Sequence, residues 1–561
     1  MAKTVLVVGG AGAFGRRLVE GLVATTELRV LVAGRDLRRA EAVAAACDSR
    51  RVAALRLDAA RATAEELRAT GAFALVDAAG PFQGADYRLA RAAIAAGMHY
   101  LDLADGRDFV AGFGALDAEA RAAGVVALSG ASSTPALSHA ALDRLTAGWR
   151  RIDSVEIAVS PGNRNSPRGL SVLRAILSYA GKPVRVFEGG RWTTRPGWGM
   201  TVRRDMPGLG RRFLSLCETP DLDLVPRRFR PTVSAVFRAG LELPALHLGL
   251  WLASLPVRLR LLPSLVPFAR PFRWLADRLR DLGSDRGGMT VTAAGIAADG
   301  EPVRAAWSLV AEAGDGPVIP TLPALAAIRA LADGRLARPG ASPCVGILDL
   351  DEIVREFAPY RITTAIEMSH PALSPFEVLL GAAFDRLPAP VRHLHGLRAD
   401  IATAGRAEVT AAGGFLPWLI RTLSGLPRPG RDVPVTVAFH IDGRGGEYWR
   451  RRFAGRRYAS GFAAGAGRHE GLLLERFFPF ELYHRLTPHE DGLAWRLVEW
   501  RLLGLKLPAW TLPTVNCFES GNGDRFVFDI DVVFPIAGPV IHYRGWLLPQ
   551  RRENEGQGWD R

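Results

Sequence analysis

Short apolar runs alternate with helix-like stretches from residue 4 to residue 128. The run from Thr4 to Val8 enters a glycine-rich turn, after which apolar residues recur at helical spacing from Phe14 to Val23. Further apolar runs of strand length lie at 28–33, 52–57, 73–78, 100–103 and 125–128. Strands that alternate with helices predict an α/β fold, a Rossmann-type doubly wound parallel sheet with its ligand at the carboxyl ends of the strands. We assign residues 1–150 to this domain.

After residue 150 the strand-like runs at 155–159, 289–293 and 303–310 have no helices alternating between them. This pattern predicts an α+β domain built on an antiparallel sheet, over residues 151–368. A helix-like stretch at 321–333 returns towards the first domain.

A boundary near residues 369–375 precedes a third pattern, in which apolar and polar positions alternate as in half-buried strands. The alternation is clearest at 433–439, 471–475, 493–498 and 526–534, and a helix-like stretch lies at 376–387. Residues 369–561 are therefore predicted to form an antiparallel β-rich (α+β) domain, a curved sheet with one or two helices.

Residues 241–282 combine leucine, tryptophan and phenylalanine with arginines, and prolines divide them into short pieces. Helices that lie in a membrane interface have this composition. A helical lid over an apolar substrate channel and an ordinary insertion into the core are the alternatives.

The glycine-rich turn carries the first candidate chemistry. Gly10, Gly12 and Gly15 fit the pattern G-x-G-x-x-G, which permits a tight turn and a close approach to a pyrophosphate. The turn leads into a helix whose first residues include Ala13 and Phe14, and free amides at a helix start bind phosphates. A dinucleotide site is predicted here.

Residues at the ends of the following strands refine the choice of cofactor. Arg35 ends the second strand, where an NAD enzyme presents a carboxylate to the ribose, so the sequence favours NADP. The neighbouring Asp36 keeps NAD open. Asp58 ends the third strand within reach of an adenine, and Ala79 with Gly80 forms a small-residue loop suited to the nicotinamide ribose.

The composition of the chain limits the classes of partner that we expect it to bind. The chain of 561 residues has a net charge of +14, which suggests nucleic acid or an anionic membrane. Nearly all of the positive charge is arginine, as in proteins of GC-rich bacterial genomes, and no block of basic residues interleaved with aromatics indicates a nucleic-acid surface. The four cysteines are far apart, which favours a reduced, cytoplasmic setting. Contact through residues 241–282 would place the protein at the inner face of the membrane.

Several motifs together resemble the saccharopine-dehydrogenase-like reductases. They are Gly-Gly-Ala-Gly-Ala-Phe-Gly (9–15), Ala-Gly-Arg-Asp (33–36), Asp-Ala-Ala-Gly-Pro-Phe (77–82), Gly-Met-His-Tyr-Leu-Asp (97–102) and Gly-Ala-Ser-Ser-Thr-Pro (130–135). The resemblance extends over about the first 365 residues. It implies an NADP-dependent reductase whose second domain closes over the nicotinamide. The catalytic lysine of saccharopine dehydrogenases has no counterpart between Lys3 and Lys182. The resemblance therefore supports the fold and the cofactor more strongly than it supports an amino-acid substrate.

The third domain resembles an uncharacterised domain that is found fused behind such reductases, through Val-Arg-His-Leu-His (391–395) and Glu-Tyr-Trp-Arg-Arg-Arg-Phe (447–453). That resemblance names no activity. His393 and His395 share a strand-like spacing without a second pair of ligands, so no metal site is predicted. Six aromatic residues either form an apolar ligand cavity or fill the core: Trp449, Phe453, Trp495, Trp500, Trp510 and Tyr543.

The sequence predicts an oxidoreductase that moves hydride between NADPH and an apolar, lipid-derived small molecule, working as a homodimer. Its candidate proton donors at the strand ends are Tyr100, Asp102 and Asp105, with a structural role for Asp102 as the alternative. The rival class is a non-catalytic, cofactor-bound scaffold or a lipid-binding protein.

Overall fold

The computed structural model describes residues 3–164, 169–442, 445–477 and 479–549. The first 150 residues form a repeating pattern of strand and helix. The strands are β1 (Thr4–Val8), β2 (Arg29–Gly34), β3 (Val52–Arg56), β4 (Ala74–Asp77), β5 (His99–Asp102) and β6 (Val126–Ser129). The helices are α1 (Ala13–Thr25), α2 (Leu37–Ala46), α3 (Ala64–Ala69), α4 (Arg88–Ala95), α5 (Arg107–Ala111), α6 (Asp117–Ala122) and α7 (Ser138–Leu145).

Longer strands and fewer alternating helices follow. The strands are β7 (Arg151–Ser160), β8 (Pro183–Glu188), β9 (Arg191–Pro196), β10 (Val202–Met206), β11 (Gly210–Leu216), β12 (Ser234–Ala239), β13 (Gly287–Ile296), β14 (Pro302–Ala311), β15 (Gly340–Pro343) and β16 (Ile362–Ser369). The helices are α8 (Leu170–Tyr179), α9 (Asp221–Phe229), α10 (Pro244–Ala253), α11 (Leu255–Arg258), α12 (Ala269–Arg278), α13 (Leu322–Ala332) and α14 (Leu350–Arg355).

The first sheet has the order β3-β2-β1-β4-β5-β6-β15, and every pair is parallel. The predicted doubly wound sheet is thus confirmed, and the strand order reverses between β1 and β4. In such sheets the ligand crevice lies at this switch point. The seventh strand, β15, follows the second-domain strands β7 to β14 in the chain. The sequence pattern did not predict that it joins the first sheet.

The second sheet is mixed. Its order is β10-β11-β12-β7-β13-β14-β16, and β8 and β9 form a hairpin beside β12. The predicted strands at 155–159, 289–293 and 303–310 lie in β7, β13 and β14, which pair antiparallel as expected. However, β12 runs parallel to β7. Local alternation shows that a residue lies in a strand, but it does not show in which direction the neighbouring strand runs.

The remaining strands are β17 (Ile401–Thr410), β18 (Gly430–Ile441), β19 (Glu447–Phe453), β20 (Arg456–Ala464), β21 (Leu473–Phe477), β22 (Phe480–Pro488), β23 (Gly492–Leu502), β24 (Leu505–Lys506), β25 (Thr514–Asn522), β26 (Arg525–Phe534) and β27 (Gly538–Pro549). The helices are α15 (Pro375–Leu380), α16 (Ala389–His395) and α17 (Phe415–Leu423).

Ten of these described strands close into a ring. Antiparallel pairing runs from β22 back through β17 to β27 and on to β23, and β23 pairs with β22. The expected curved antiparallel sheet is therefore a closed barrel, which leaves no free edge among its ten strands. The short strand β24 pairs with β23 outside the ring.

The barrel packs against the second sheet through its outer wall. Glu188 at the end of β8 is buried between two arginines, Arg195 on β9 and Arg450 on β19, and the Arg450 Nη1–Glu188 Oε1 distance is 2.6 Å. Burial alone would raise the pKa of Glu188, but the two guanidinium charges outweigh it and hold that pKa below its ordinary value. Arg304 on β14 adds a hydrogen bond to the carbonyl oxygen of Ile441 at 2.8 Å.

Two local expectations differ from the structure. The helix predicted at 376–387 ends at Leu380, and a 3₁₀ helix (Gly381–Arg386) continues the chain. His393 and His395 lie on α16 and not in a strand. Among the described residues, no helix is long and apolar enough to cross a bilayer.

Candidate cofactor and substrate site

The glycine turn joins β1 to α1 at the switch point. The amides of Gly9 and Gly10 donate to the carbonyl oxygen of Ala33 on β2, at 2.8 and 3.3 Å, so the turn is fastened to the neighbouring strand. Gly12 is the N-cap residue of α1, and no side chain caps this end. The first amides of α1, those of Ala13 and Phe14, therefore lack helical partners, as a pyrophosphate site requires.

Two glycines in the turn have no room for a side chain. A Cβ on Gly15 would lie 2.2 Å from the carbonyl oxygen of Gly9, and one on Gly10 would lie 2.8 Å from Cγ1 of Val32. A Cβ on Gly12 would meet the same oxygen of Gly9 at 3.1 Å. The glycines thus let α1 and β2 pack directly on the turn, which leaves the phosphate position clear.

Three arginines line one surface cavity: Arg35 follows β2, Arg38 lies in the first turn of α2, and Arg56 ends β3. A cavity of about 410 Å³ is lined by Arg35, Asp36, Leu37, Arg38 and Arg56. Guanidinium groups are the preferred partners of phosphate because they combine positive charge with several donors. The cavity therefore fits the 2′-phosphate that distinguishes NADP from NAD.

The carboxylates near the cavity have other partners. Asp36 caps α2, since its Oδ1 accepts a hydrogen bond from the amide of Arg39 at 3.3 Å. Its carboxylate is thus directed to the helix start, which weakens the alternative that it binds an NAD ribose. Asp58 lies two residues after β3, is exposed, and accepts from the amide of Ala60 at 3.2 Å. Its expected contact with an adenine stays a prediction.

The small-residue loop after β4 lies against the glycine turn. A Cβ on Gly9 would be 2.9 Å from Cα of Ala79, so the two segments are in van der Waals contact. Asp77 orients the loop by accepting a hydrogen bond from the amide of Ala79 at 2.9 Å, and burial raises the pKa of Asp77 to about 6. Ala79 and Gly80 are both exposed at the switch point, where a nicotinamide ribose would lie.

The structure corrects two of the three proton-donor predictions. The side chain of Tyr100 is only 1% exposed and stacks on Phe113 inside the sheet layer. Asp102 is 0% exposed, and its Oδ1 accepts from the amides of Ala104 and Gly130 and from the Ser129 hydroxyl. Alternation along β5 does not reveal that helices cover both faces of this strand. Neither side chain can meet a substrate, and Asp102 instead ties β5 to β6.

Asp105 is different because it lies beyond the end of β5 and is exposed to the cleft between the two sheets. Its Oδ1 accepts a hydrogen bond from Gln83 at 3.0 Å, and surrounding protein atoms raise its pKa. The negative charge of Asp105 acts on Tyr179 and Cys217, which the second domain contributes.

The opposite wall of this cleft contains residues that sequence reasoning missed. The Tyr179 hydroxyl lies 3.0 Å from Sγ of Cys217, and burial raises the pKa values of both groups. Next to them, burial raises the pKa of Glu218, while the charges of Arg107 and Lys182 oppose that rise. No motif marks these residues, because they meet Asp105 only when the second domain folds over the first.

A buried ion pair holds the two walls together. Arg107, at the start of α5, donates from Nε and Nη2 to the two carboxylate oxygens of Asp223 on α9, both at 2.7 Å. Arg107 also donates to the carbonyl oxygen of Arg185 at 2.8 Å. A two-pronged guanidinium–carboxylate pair fixes distance as well as orientation. It therefore fixes α5 of the first domain against α9 of the second.

A second cluster fastens the loop after β6 to α9. Asp221 accepts hydrogen bonds from the hydroxyls of Ser138, at 2.5 Å, and Thr134. Burial raises the pKa of Asp221 to about 7 and lowers that of the neighbouring His139 to about 3. Both groups are inaccessible to solvent, so the cluster is structural.

The third domain places five of the six predicted aromatics around one cavity inside the barrel. They are Trp449, Phe453, Trp495, Trp500 and Tyr543. Trp510 was wrongly included: its side chain is 68% exposed on a connection outside the ring. Among the described residues, no three His, Cys, Asp or Glu side chains are grouped as metal ligands, and His395 instead binds Glu519.

The parallel sheet, the uncapped glycine turn and the arginine cavity define a dinucleotide-binding oxidoreductase. Residues 5–128 match the family model for the saccharopine dehydrogenase NADP binding domain, and residues 387–547 match that of a domain of unknown function (DUF4166). The chain thus joins a saccharopine dehydrogenase NADP-binding domain to this C-terminal domain, and NADP is its cofactor. A comparison with curated protein sequences found no significant match.

Solved structures show more distant likenesses. Apo saccharopine dehydrogenase (L-Glu forming) from Saccharomyces cerevisiae is 16% identical, with 65% of this chain and 100% of that chain covered and a TM-score of 0.47. GenD2 from gentamicin A biosynthesis, in complex with NAD, is 16% identical over 65% and 96% of the two chains, with a TM-score of 0.29. UDP-N-acetylglucosamine 3-dehydrogenase from Acidithiobacillus ferrooxidans is 14% identical over 64% and 95%, with a TM-score of 0.29. The family matches carry the assignment.

Proposed function

We propose that this oxidoreductase transfers hydride between NADPH and a carbon–carbon or carbon–oxygen double bond of an apolar, lipid-derived compound. When bound, the cofactor supplies or accepts the hydride. The observation that carries the proposal is the cavity formed by Arg35, Arg38 and Arg56 beside the uncapped start of α1. It supports binding of the 2′-phosphate at one end of the cofactor.

The protein's chemical task at the cleft is to hold the substrate and move one proton. Asp105 is the donor we propose, because it is exposed to the cleft and its raised pKa keeps more of its carboxyl protonated near neutral pH. Glu218 on the opposite wall has the same property and is the second candidate.

Replacing Arg35 by Asp tests the cofactor assignment. NADPH affinity should fall at least about tenfold, since a charge-assisted contact to phosphate is lost, whereas NADH affinity should change little. Fluorescence titration of both cofactors measures this. Arg29→Asp, at the opposite end of β2, is the matched control and should affect neither. Equal losses for NADPH and NADH in the Arg35 variant would remove Arg35 from the site.

Replacing Asp105 by Asn tests the proton donor. A carboxylic acid donates only while protonated, so turnover of the wild type should decline as pH rises through the raised pKa of Asp105. The variant should be slower by about 10²–10⁴-fold and should lose that pH dependence. An unchanged pH profile would move the role to Glu218, which the variant Glu218→Gln then tests.

A non-catalytic, cofactor-bound scaffold is the second candidate function. It is favoured by the burial of Tyr100 and Asp102, which leaves Asp105 as the exposed member of the predicted set. Consumption of NADPH in the presence of a lipid extract separates the two classes. Mass spectrometry of small molecules that copurify with the protein would name the substrate class directly.

We further propose that residues 241–282 contact an anionic membrane surface. Within them, Leu252, Leu259, Leu261 and Trp274 are exposed, and α10 is anchored by the buried side chains of His247 and Leu250. The neighbouring arginines at 260, 270, 273 and 278 are exposed as well, and this mixture of apolar and cationic groups complements anionic lipid.

Flotation of the full chain with vesicles of phosphatidylglycerol and phosphatidylcholine tests this contact. The protein should float with these vesicles and should not float with phosphatidylcholine alone. The double variant Leu259→Ser, Leu261→Ser should reduce flotation, and Leu37→Ser, an exposed leucine of the first domain, should not. Protein that stays at the bottom with both vesicles would make the segment an ordinary surface insertion.

A further inference from the structure

The interior of the barrel is a second cavity, remote from the cofactor turn. Its volume is about 370 Å³, within the range of small-molecule sites, and apolar side chains from β18 to β27 form most of its wall. At one end Phe376 and His395, from the helices α15 and α16, pack against Trp449, Trp495 and Phe526 and close the barrel. At the other end the cavity wall consists of apolar residues beside the connections between strands: Leu423, Phe477, Phe480, Trp500 and Phe534.

One cation projects into this apolar space. Arg451 lies on the inner face of β19 and donates from Nη1 to the Ser460 hydroxyl at 2.6 Å. Its guanidinium packs on the rings of Trp449 and Tyr458, at 4.9 and 5.3 Å from their centres. In the described part of the chain no carboxylate forms an ion pair with Arg451. A cation in an apolar cavity that makes no direct ion pair is costly, so this position favours an anionic ligand group.

The nearest protein carboxylate already has a partner. Burial by itself would raise the pKa of Glu475, but a hydrogen bond from His484 and the charge of Arg451 outweigh it and lower that pKa. The Nε2–Oε2 distance between His484 and Glu475 is 3.1 Å. Glu475 is thus ionised and bound to His484, and it leaves the donors of Arg451 available to a ligand.

Two polar atoms of the cavity wall have no hydrogen-bond partner among the described residues. They are Nε1 of Trp495, a side chain that is 6% exposed, and Nδ1 of His484, which is 2% exposed. An indole N–H can only donate, so the group that meets it must be an acceptor. Trp495 and Arg451 both pack against the rings of Trp449 and Phe462. Buried polar groups in native proteins are normally satisfied, which points to a bound ligand here.

We propose that the barrel binds a long-chain carboxylic acid of the fatty-acid type. Its carboxylate accepts hydrogen bonds from Arg451 and from Trp495 Nε1. Its chain runs along the apolar wall towards Phe477, Phe480 and Phe534, where the barrel is not closed by α15 and α16. This site is independent of the reductase activity, because none of its residues belongs to the cofactor turn or to the cleft.

The test uses the full chain and cis-parinaric acid, a fluorescent long-chain acid, in parallel with its methyl ester. The wild type should bind the acid at least about tenfold more tightly than the ester, because hydrogen bonds to a charged group are the stronger ones. Arg451→Met should weaken binding of the acid about ten- to hundredfold and that of the ester less than about threefold. Arg496→Met makes the same change at an exposed position next to Trp495 and should alter neither.

The variant Trp495→Phe keeps a ring in place and removes the unpaired donor, so it should weaken binding of the acid about five- to tenfold. This variant also tests the proposed carboxylate site if Arg451→Met does not fold. Equal affinity of the wild type for acid and ester would overturn the proposal. So would folded Arg451 and Trp495 variants that bind the acid as well as the wild type does, because the polar groups would then serve only the barrel wall.

Discussion

The parallel sheet and the barrel form their ligand sites by opposite means. In the first domain the candidate groups are backbone amides of one turn and exposed arginines that follow β2 or end β3, all at the edge of the sheet. In the barrel they are side chains on the inner faces of strands far apart in sequence, such as Arg451, His484 and Trp495. An edge site depends on one short segment, whereas an interior site depends on closure of the whole ring.

The two sites also differ in how charge is accommodated. Arg35, Arg38 and Arg56 lie at the surface, where water and salt screen their mutual repulsion. Arg451 lies among aromatic rings with a neutral hydroxyl as its hydrogen-bond acceptor. Each arginine at the first site should therefore contribute less to cofactor affinity at high salt than at low salt. The contribution of Arg451 to ligand affinity should not depend on the salt concentration.

The largest effect should come from separating the first domain from the rest. Asp223→Asn removes the two-pronged partner of Arg107, which then keeps only Glu218 at 3.9 Å, and should lower the free energy of unfolding by up to about 3–5 kcal/mol. Glu119→Gln removes the exposed partner of Arg91 and should cost less than about 1 kcal/mol. Urea unfolding of both variants makes the comparison. A similar small loss in both would show that the cleft is not held by this pair.

The next largest effect should come from a methyl group added to the glycine turn. In Gly15→Ala the Cβ would overlap the carbonyl oxygen of Gly9, which should cost about 1–3 kcal/mol and abolish NADPH binding while the barrel still binds its acid. Gly114→Ala, at an exposed glycine with open space around it, is the control. Loss of both ligands in Gly15→Ala would mean that the two sites are coupled.

The pH dependence of stability should differ between the first domain and the barrel because each contains a buried carboxyl with a different pKa. Burial raises the pKa of Asp102 to about 7 and that of Glu447, at the closed end of the barrel, to about 8. Unfolded carboxyls titrate near pH 4, so between these values the folded state binds more protons and loses stability as pH rises. This loss should end near pH 7 for Asp102 and near pH 8 for Glu447.

The variants Asp102→Asn and Glu447→Gln keep a hydrogen-bond acceptor and cannot ionise. Each should flatten the fall in Tm of its own domain between pH 5 and its own upper limit by about 3 °C, in line with about 1 kcal/mol in a domain of about 150–250 residues. Calorimetric scans at several pH values measure the effect. A fall that is as steep in the variants as in the wild type would show that other groups cause it.

The smallest effect separates a surface tryptophan from a cavity tryptophan. Trp510→Ala should change binding of the fluorescent acid less than about twofold, because the side chain is exposed and lies outside the ring. Trp500→Ala should weaken it several-fold, since this ring lines the cavity and stacks on Phe480. A larger loss from the Trp510 variant would place the entrance of the cavity at residues 509–511.

Much of the first domain was predictable from the sequence. Apolar periodicity located β1 to β6 within a few residues, and the spacing of Gly10, Gly12 and Gly15 marked the turn, because these features depend on neighbours along the chain. The burial of Tyr100 was not predictable. A strand covered by helices on both faces and a strand end at a cleft have the same local pattern, so Asp102 and Asp105 could not be told apart.

Sequence alone therefore determined the class of the first domain, its cofactor and the β-rich character of the third. Tertiary structure decided that β15 joins β6 in the first sheet and that β17 pairs with β27 in the barrel. The physical reason is the range of the interactions. Helix spacing, strand alternation and turn geometry are set within about ten residues, whereas these two strand pairings join residues more than a hundred positions apart, which no local pattern records.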